Sequence, residues 1–134
     1  MTNDGSGGAL GDTVTPIDLA TRRPLKPIKV GLGPQGIAIT EDGTTALVTD
    51  AGAIPSLGQA GPPGKTVTPI DLQTGKAGSP IPVGNGPLAV AITPGGEAYV
   101  ANLDSQSVTP IDVATGTPAA PIAVPGGPVH PRPR

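Results

Sequence analysis

The chain has 134 residues, with eight basic and ten acidic side chains for a net charge of −2. This length predicts at most one domain, and so balanced a charge argues against nucleic acid or an anionic membrane surface as the partner. The absence of cysteine excludes disulfides, a thiolate nucleophile and cysteine-based metal sites. No apolar run is long enough for a transmembrane helix, and residues 1–11 lack the basic and apolar regions of a signal peptide.

A five-residue sequence, Val-Thr-Pro-Ile-Asp, occurs three times without change, at residues 14–18, 67–71 and 108–112. Each copy is followed at the same distance by Pro-Ile-x-Val. Without a repeat, 21 Gly and 19 Pro would indicate disorder. Verbatim copies instead indicate a repeat architecture, and a unit of about forty residues is typical of a four-stranded propeller blade.

The chain divides into four parts along this repeat. Residues 1–35 are half a blade, residues 36–83 are a blade with an insertion at 51–64, residues 84–124 are a second blade, and residues 125–134 are a Pro/Arg-rich tail. We call the four β-like runs of a unit a, b, c and d. They are predicted at 37–40, 45–50, 66–72 and 79–83, and again at 90–93, 97–102, 107–113 and 120–124. No helical period is sustained, and the frequent prolines would break a helix.

Run c carries a proline in every copy, at Pro16, Pro69 and Pro110. Proline has no N–H to donate to a strand ladder, so it belongs at an edge or a bulge. We therefore expect a local bulge or an unpaired position there.

Run b resembles the tetrapeptide Tyr-Val-Thr-Asn that names the YVTN β-propeller repeats, in Ala46–Asp50 and in Ala98–Asn102. The resemblance spans residues 13–128. Arg22 departs from it, because the other copies have glycine there, and Leu47 replaces the tyrosine. The resemblance implies an all-β fold, an incomplete β-propeller of antiparallel four-stranded blades.

The ends of the chain fall within blades of this pattern. Thr2 and Asn3 occupy the end of a run b, and residues 126–128 are the lead-in to a further run a. We therefore expect a fragment of a longer propeller, or one part of an oligomeric one. An open arc of blades leaves the outer faces of its terminal blades exposed to solvent. We therefore expect the chain alone to be weakly folded or to self-associate through those faces.

Three carboxylates recur at one place in the repeat, at Asp18, Asp71 and Asp112. They could line one rim and bind a cation. Alternatively, each could accept backbone N–H groups in an Asx-type turn that fixes the hairpin between runs c and d. We favour the structural role, and the sequence suggests no metal and no cofactor.

Residues 31–36 match the glycine pattern of dinucleotide-binding loops, but that site needs a helix after the loop. A strand-like run follows instead, which favours a turn between blades.

A basic cluster lies on the first hairpin of runs c and d, at Arg22, Arg23, Lys26 and Lys29. It could meet an acidic partner or could simply be a solvated face. With one aromatic residue in the chain there is no stacking platform for single-stranded nucleic acid.

The resemblance implies a non-enzymatic binding or interaction scaffold, with an unknown protein or small ligand as its partner. The variable insertion is the expected binding loop, with candidate residues Ile54, Ser56, Gln59 and Lys65. Similar propellers include lactonases, so the alternatives are part of a lactonase-like hydrolase and a non-functional truncated reading frame. Parent proteins of this type are often secreted or in the cell envelope.

Overall fold

The computed structural model describes residues 2–3, 10–55 and 58–124 of the chain. Within these ranges every regular element is a β-strand apart from a single 3₁₀ position at Pro55, and all strand pairs are antiparallel. None of the described segments forms a helix of the length and apolarity that a membrane crossing requires. The predicted all-β class is confirmed.

In the described residues the strands form three successive sheets of three to five strands and one separate two-stranded hairpin, which we group with the first sheet. The first sheet contains β1, β2 and β5, with the hairpin β3–β4 beside it: Thr2–Asn3, Thr13–Val14, Ile17–Asp18, Arg23–Pro24 and Ile28–Lys29. The middle sheet contains β6 to β10: Pro34–Ile39, Thr45–Gly52, Pro63–Asp71, Lys76–Ala77 and Ile81–Pro82. The third sheet contains β11 to β15: Pro87–Ile92, Glu97–Asn102, Ser107–Asp112, Thr117–Pro118 and Ile122–Ala123.

Run a begins about three residues earlier than the sequence predicted. β6 begins at Pro34 and β11 begins at Pro87. The pairing of each with the next strand is irregular between its first residues. The irregular register explains why the alternating pattern of the sequence starts only after it.

The expected bulge opposite the proline of run c is confirmed, and it divides run d into two short strands. Between β8 and the strands β9 and β10, Thr68 and Pro69 lie opposite three residues, 78–80. Gly78 N–H donates to the Pro69 carbonyl across the bulge at 2.7 Å. The same hydrogen bond joins Ala119 to Pro110 and Leu25 to Pro16, each at 2.8 Å. Because a proline nitrogen cannot donate, the outer strand takes an extra residue at that point.

The insertion predicted at 51–64 is less of a loop than its composition indicated. Its first two residues continue β7 to Gly52, and its last two begin β8 at Pro63. Gly52 pairs with Pro63 past a register shift. Gly52 has a φ of +61°, and a Cβ there would lie 2.9 Å from the Pro62 carbonyl oxygen. Glycine therefore permits a backbone approach that a larger residue would block.

The core lies between the sheets, so we name the two faces of each sheet by the neighbour on that side. The N-side face of a sheet points toward the sheet before it in the chain, and the C-side face points toward the sheet after it. One cluster joins the first and middle sheets: Val14, Ala46, Val48 and Ile70. A second cluster joins the middle and third sheets: Leu47, Val67, Ile81, Ala98, Val100 and Ile111. Strands β7 and β8 of the middle sheet thus carry buried side chains on both faces, whereas Ile37 and Ile39 of β6 are 42% and 56% exposed.

Candidate functional site

Each recurrent aspartate accepts a backbone hydrogen bond from the turn that follows its strand. Asp18 Oδ1 accepts from Ala20 N–H at 2.9 Å, Asp71 Oδ1 accepts from Gln73 N–H at 2.9 Å, and Asp112 Oδ1 accepts from Ala114 N–H at 3.1 Å. These are Asx turns, and each one orders the hairpin that joins run c to run d. We call the strands of runs a, b and c strand a, strand b and strand c: they are β6, β7 and β8 in the middle sheet and β11, β12 and β13 in the third sheet. Within the described ranges, no three histidine, cysteine or acidic side chains converge as metal ligands would.

The candidate residues of the insertion are divided between the interior and the surface. Ile54 is buried with Ala51 and Leu103 of the third sheet, because its apolar side chain packs against that neighbour. Its N–H donates to Gln59 Oε1 at 2.8 Å, which closes the loop on itself. Lys65 is exposed on β8, while Ser56 lies outside the described residues. Only part of the predicted set is therefore presented to solvent.

In the glycine-rich segment at residues 31–36, residues 31–33 form a bend and residues 34–36 are already the first residues of β6. Gly33 has a φ of +65°, and a Cβ there would lie 2.5 Å from the Gly52 carbonyl oxygen. A Cβ at Gly36 would lie 2.9 Å from the carbonyl oxygen of Leu88 on the neighbouring sheet. The glycines allow close packing between blades, and the helix that a dinucleotide site needs does not follow them.

A buried carboxylate at the end of strand b fastens the middle sheet together. Asp50 accepts hydrogen bonds from Gly31 N–H at 3.0 Å, Thr66 Oγ1 at 2.8 Å and Thr68 Oγ1 at 2.7 Å. These donors lie on strand c and on the segment that enters the sheet. Burial raises the pKa of Asp50 above its ordinary value of 3.8, and the three hydrogen bonds oppose that rise. We call this arrangement the polar clasp.

The third sheet has an amide at the position equivalent to Asp50, and among the described residues it bonds to strand c alone. Asn102 Nδ2 donates to Ser107 Oγ at 3.2 Å and to Thr109 Oγ1 at 2.9 Å, while its buried Oδ1 accepts no hydrogen bond. The repeat pattern includes Asp50 and Asn102 as the last residues of run b, but it does not predict their role as buried hydrogen-bonding groups. A sequence pattern that could have predicted this role is the pair of hydroxyl residues, two positions apart, that recurs on strand c. The pairs are Thr66 with Thr68 and Ser107 with Thr109.

The C-side face of the third sheet is open. Ile81 on the middle sheet is 4% exposed, whereas Ile122, which holds the equivalent register opposite strand c, is 54% exposed. Leu47 is buried, and its equivalent Tyr99 is 38% exposed. The hydroxyl of Tyr99 donates to the Glu97 carboxylate beside it, which raises the pKa of the tyrosine above its ordinary value.

The N-side face of the first sheet is open at the matching position. Ile17 is 46% exposed, whereas its equivalents Ile70 and Ile111 are 1% and 0% exposed. Each end of the arc therefore presents the face that a neighbouring sheet covers elsewhere in the same chain. These two faces and the grooves between sheets are the candidate binding surfaces of the described residues.

Comparison with known proteins supports the fold and leaves the family open. No protein-family model matches the chain, and no curated protein matches it either. Among solved structures, hydrazine synthase of Kuenenia stuttgartiensis is similar, with 26% sequence identity and a TM-score of 0.73. The superposition covers 87% of this chain and 31% of hydrazine synthase.

AztD from Citrobacter koseri is also similar, in two structures. One is the apo form, at 14% identity and a TM-score of 0.66, and the other is at 13% identity and a TM-score of 0.66. Each covers 87% of this chain, which spans less than a third of the length of these proteins. All are of β-propeller type. The chain is accordingly an all-β, incomplete propeller, as the sequence predicted.

Proposed function

We propose that this chain is a YVTN-type repeat module of a larger β-propeller assembly, and that it acts as a non-enzymatic binding scaffold. Each open end face takes the complementary face of another blade. In a solution of this chain alone, a second copy supplies that blade. The contact is head to tail, with the C-side face of one copy against the N-side face of the next, and such a contact builds rings or open chains.

The burial of equivalent isoleucines carries this proposal. Ile81 and Ile122 occupy the same place in the repeat, but only Ile81 has a sheet packed on it. The sequence of the third sheet therefore provides for a neighbour on its C-side face. Repeat units of this kind gain stability mainly from the interfaces between them. The similar structures, of which this chain spans less than a third, support the same interpretation.

Sedimentation velocity over a range of concentrations tests the proposal. We expect the wild-type chain to form larger species as its concentration rises. Tyr99 is the only aromatic residue, so its fluorescence reports on the open face without interference. Quenching by acrylamide should weaken as association covers that face.

Two matched variants assign the association to the end face. Ile122→Asp places a charge on the open face and should abolish association. Leu19→Asp places the same charge on a residue that is 84% exposed in a turn, and should leave association unchanged. A monomer with a cooperative thermal transition at every concentration would contradict the proposal, as would equal effects of the two variants.

The non-enzymatic part of the proposal is tested separately with sugar lactones. We expect no hydrolysis above the buffer rate. Turnover that is lost when Glu41 and Asp42, the carboxylates of the turn between strands a and b, are replaced by amides would favour a hydrolase instead.

A further inference from the structure

A groove of about 720 Å³ runs between the outer edges of the first and middle sheets. One wall comes from β5 and the residues before it, and the other wall comes from the hairpin that joins β8 to β9. The groove lies at the opposite edge of the sheets from the innermost strands, β6 and β11. The groove is separate from the open end faces, because it lies between the first and middle sheets, whereas those faces are on the outer sides of the first and third sheets.

Three lysines line this groove: Lys26, Lys29 and Lys76. Lys29 forms an ion pair with Asp12 at 3.6 Å, with the lysine side chain 81% exposed. Lys26 and Lys76 form no ion pair within the described residues. Arg22 and Arg23 lie on the adjacent turn and strand of the same hairpin.

One acidic side chain of the middle sheet is paired in the strand register with a groove lysine. Asp71 lies opposite Lys76 in the strand register, but its carboxylate accepts hydrogen bonds from the backbone N–H groups of Gln73 and Thr74. That carboxylate keeps its negative charge, but the residues that line the groove include three lysines and no acidic side chain, in a chain whose net charge is −2. The field in such a groove favours an anionic ligand.

The floor of the groove is apolar. Leu25 is 52% exposed and Leu72 is 38% exposed, and Ile28, Ala77 and the prolines Pro16 and Pro27 are the other apolar side chains of the lining. Aliphatic residues flanked by lysines fit a ligand that carries both aliphatic groups and carboxylates. A nucleic acid strand would need aromatic platforms for its bases, and the single aromatic residue lies on the third sheet.

The backbone at this edge is protected against strand addition. Pro24 and Pro27 in the first sheet and Pro80 and Pro82 in the middle sheet all fall in or beside the outermost strands. Proline and a bulge prevent an added strand from pairing along an edge. A ligand must therefore be held by side chains across the groove.

We infer that this groove binds an acidic, extended peptide segment of a partner protein. The carboxylates of the segment pair with Lys26, Lys29 and Lys76, and its aliphatic side chains pack on Leu25 and Leu72. This inference is independent of the end faces, because the groove is complete within one chain.

Fluorescence anisotropy with a dye-labelled peptide of alternating Glu and Leu tests the inference. A Gln/Leu peptide of the same length is the uncharged control. We expect saturable binding of the acidic peptide, weakening as added salt shortens the screening length. An exposed pair contributes at most about 1 kcal/mol, so each lysine should change the affinity by up to about fivefold.

The variants distinguish binding in the groove from a non-specific effect of the net charge of the chain. Lys26→Gln combined with Lys76→Gln should weaken binding by up to about 25-fold if the two pairs act independently. Ala120→Glu shifts the net charge in the same direction at an exposed position just before β15 of the third sheet, outside the groove, and should leave the affinity unchanged. Leu72→Ser should weaken binding without changing its dependence on salt.

Three outcomes would overturn the inference. They are equal weakening by Ala120→Glu, equal binding of the Gln/Leu peptide, and equal binding of an oligothymidine to the same lysines. The last result would make the groove a general polyanion site. Circular dichroism of each variant excludes unfolding as the cause, and Ile122→Asp should bind the peptide normally even if the end-face proposal fails.

Discussion

The middle and third sheets share one sequence pattern but differ in what covers them. Ile81 and Ile122 follow the same motif and pair with the same position of strand c, and only the first of them is buried. The N-side faces of the two sheets are alike, since Ile70 on the middle sheet and Ile111 on the third sheet are both fully buried. The repeat therefore specifies each blade, while burial of the C-side face depends on a neighbour.

This difference predicts that identical substitutions will have unequal effects. Ile70→Ala and Ile81→Ala should each lower the free energy of unfolding of the monomer by about 2–5 kcal/mol, through lost burial and the cavity left behind. Ile17→Ala and Ile122→Ala should change it by no more than about 0.5 kcal/mol. Urea unfolding followed by circular dichroism, at concentrations where the chain is monomeric, measures both pairs. Similar losses in all four variants would contradict the assignment of the open faces.

Substitutions in the turns that lead into the middle and third sheets should also have unequal effects, with the larger loss of stability in the middle sheet. Gly33 and Gly86 both have positive φ, so alanine at either position costs about 1–2 kcal/mol in backbone strain. At Gly33 the added Cβ also meets the Gly52 backbone, whereas at Gly86 the nearest atoms belong to the Asp104 side chain and not to the backbone. We expect Gly33→Ala to lower the unfolding free energy more than Gly86→Ala. The same measurement decides this, and the reverse order would show that the middle sheet tolerates a shift of its entry segment.

The polar clasp should give the middle sheet a pH dependence that the amide in the third sheet lacks. The pKa of Asp50 is raised in the folded state, so the folded chain binds more protons than the unfolded chain in that range. Its contribution to stability is therefore greatest at acid pH and is lost as the pH rises through the folded pKa.

Asp50→Asn copies the third sheet and should remove this loss. The unfolding free energy of the variant minus that of the wild type should increase as the pH rises from about the ordinary carboxyl range. The exposed Asp42, whose pKa is lowered by hydrogen bonds from Thr40 and Thr44, contributes in the opposite direction but is present in both chains. A difference that is flat with pH would show that Asp50 titrates as it does in the unfolded chain.

The smallest expected effect concerns the open face itself. Glu97→Gln should lower the pKa of Tyr99 toward its ordinary value, because a charged acceptor is removed from its hydroxyl. Ultraviolet titration of tyrosinate measures this without interference from other aromatics. The control is Glu41→Gln, which removes the same charge from the turn between β6 and β7 of the middle sheet and should leave the titration unchanged.

The strand pattern and the bulges could be predicted because each depends on residues near one another in sequence. A proline within strand c has no N–H wherever the strand lies, so the irregularity opposite Pro69 followed directly. The extension of β7 to Gly52 could not be predicted in this way. A Gly/Pro-rich composition is typical of loops, and the pairing of Gly52 with Pro63 depends on the backbone approach of the partner strand.

The clasp and the groove were less accessible from sequence for a related reason. Asp50 became a buried acceptor only because Gly31, Thr66 and Thr68 converge on it from separate segments. The basic cluster was visible on the first hairpin, but Lys76 comes from the next blade. The packing of one sheet beside another brings these groups together.

The burial of Ile54 has a consequence for the evolution and engineering of such repeats. The insertion packs beside Leu103 and so forms part of the junction between two blades. Changes in its length are therefore constrained by that packing. Shortening the middle sheet to the length of the third would uncover Leu103 and Leu88, which pack around that anchor. A loop grafted here to create a new specificity would need an aliphatic residue at the same place, with variation confined to the tip.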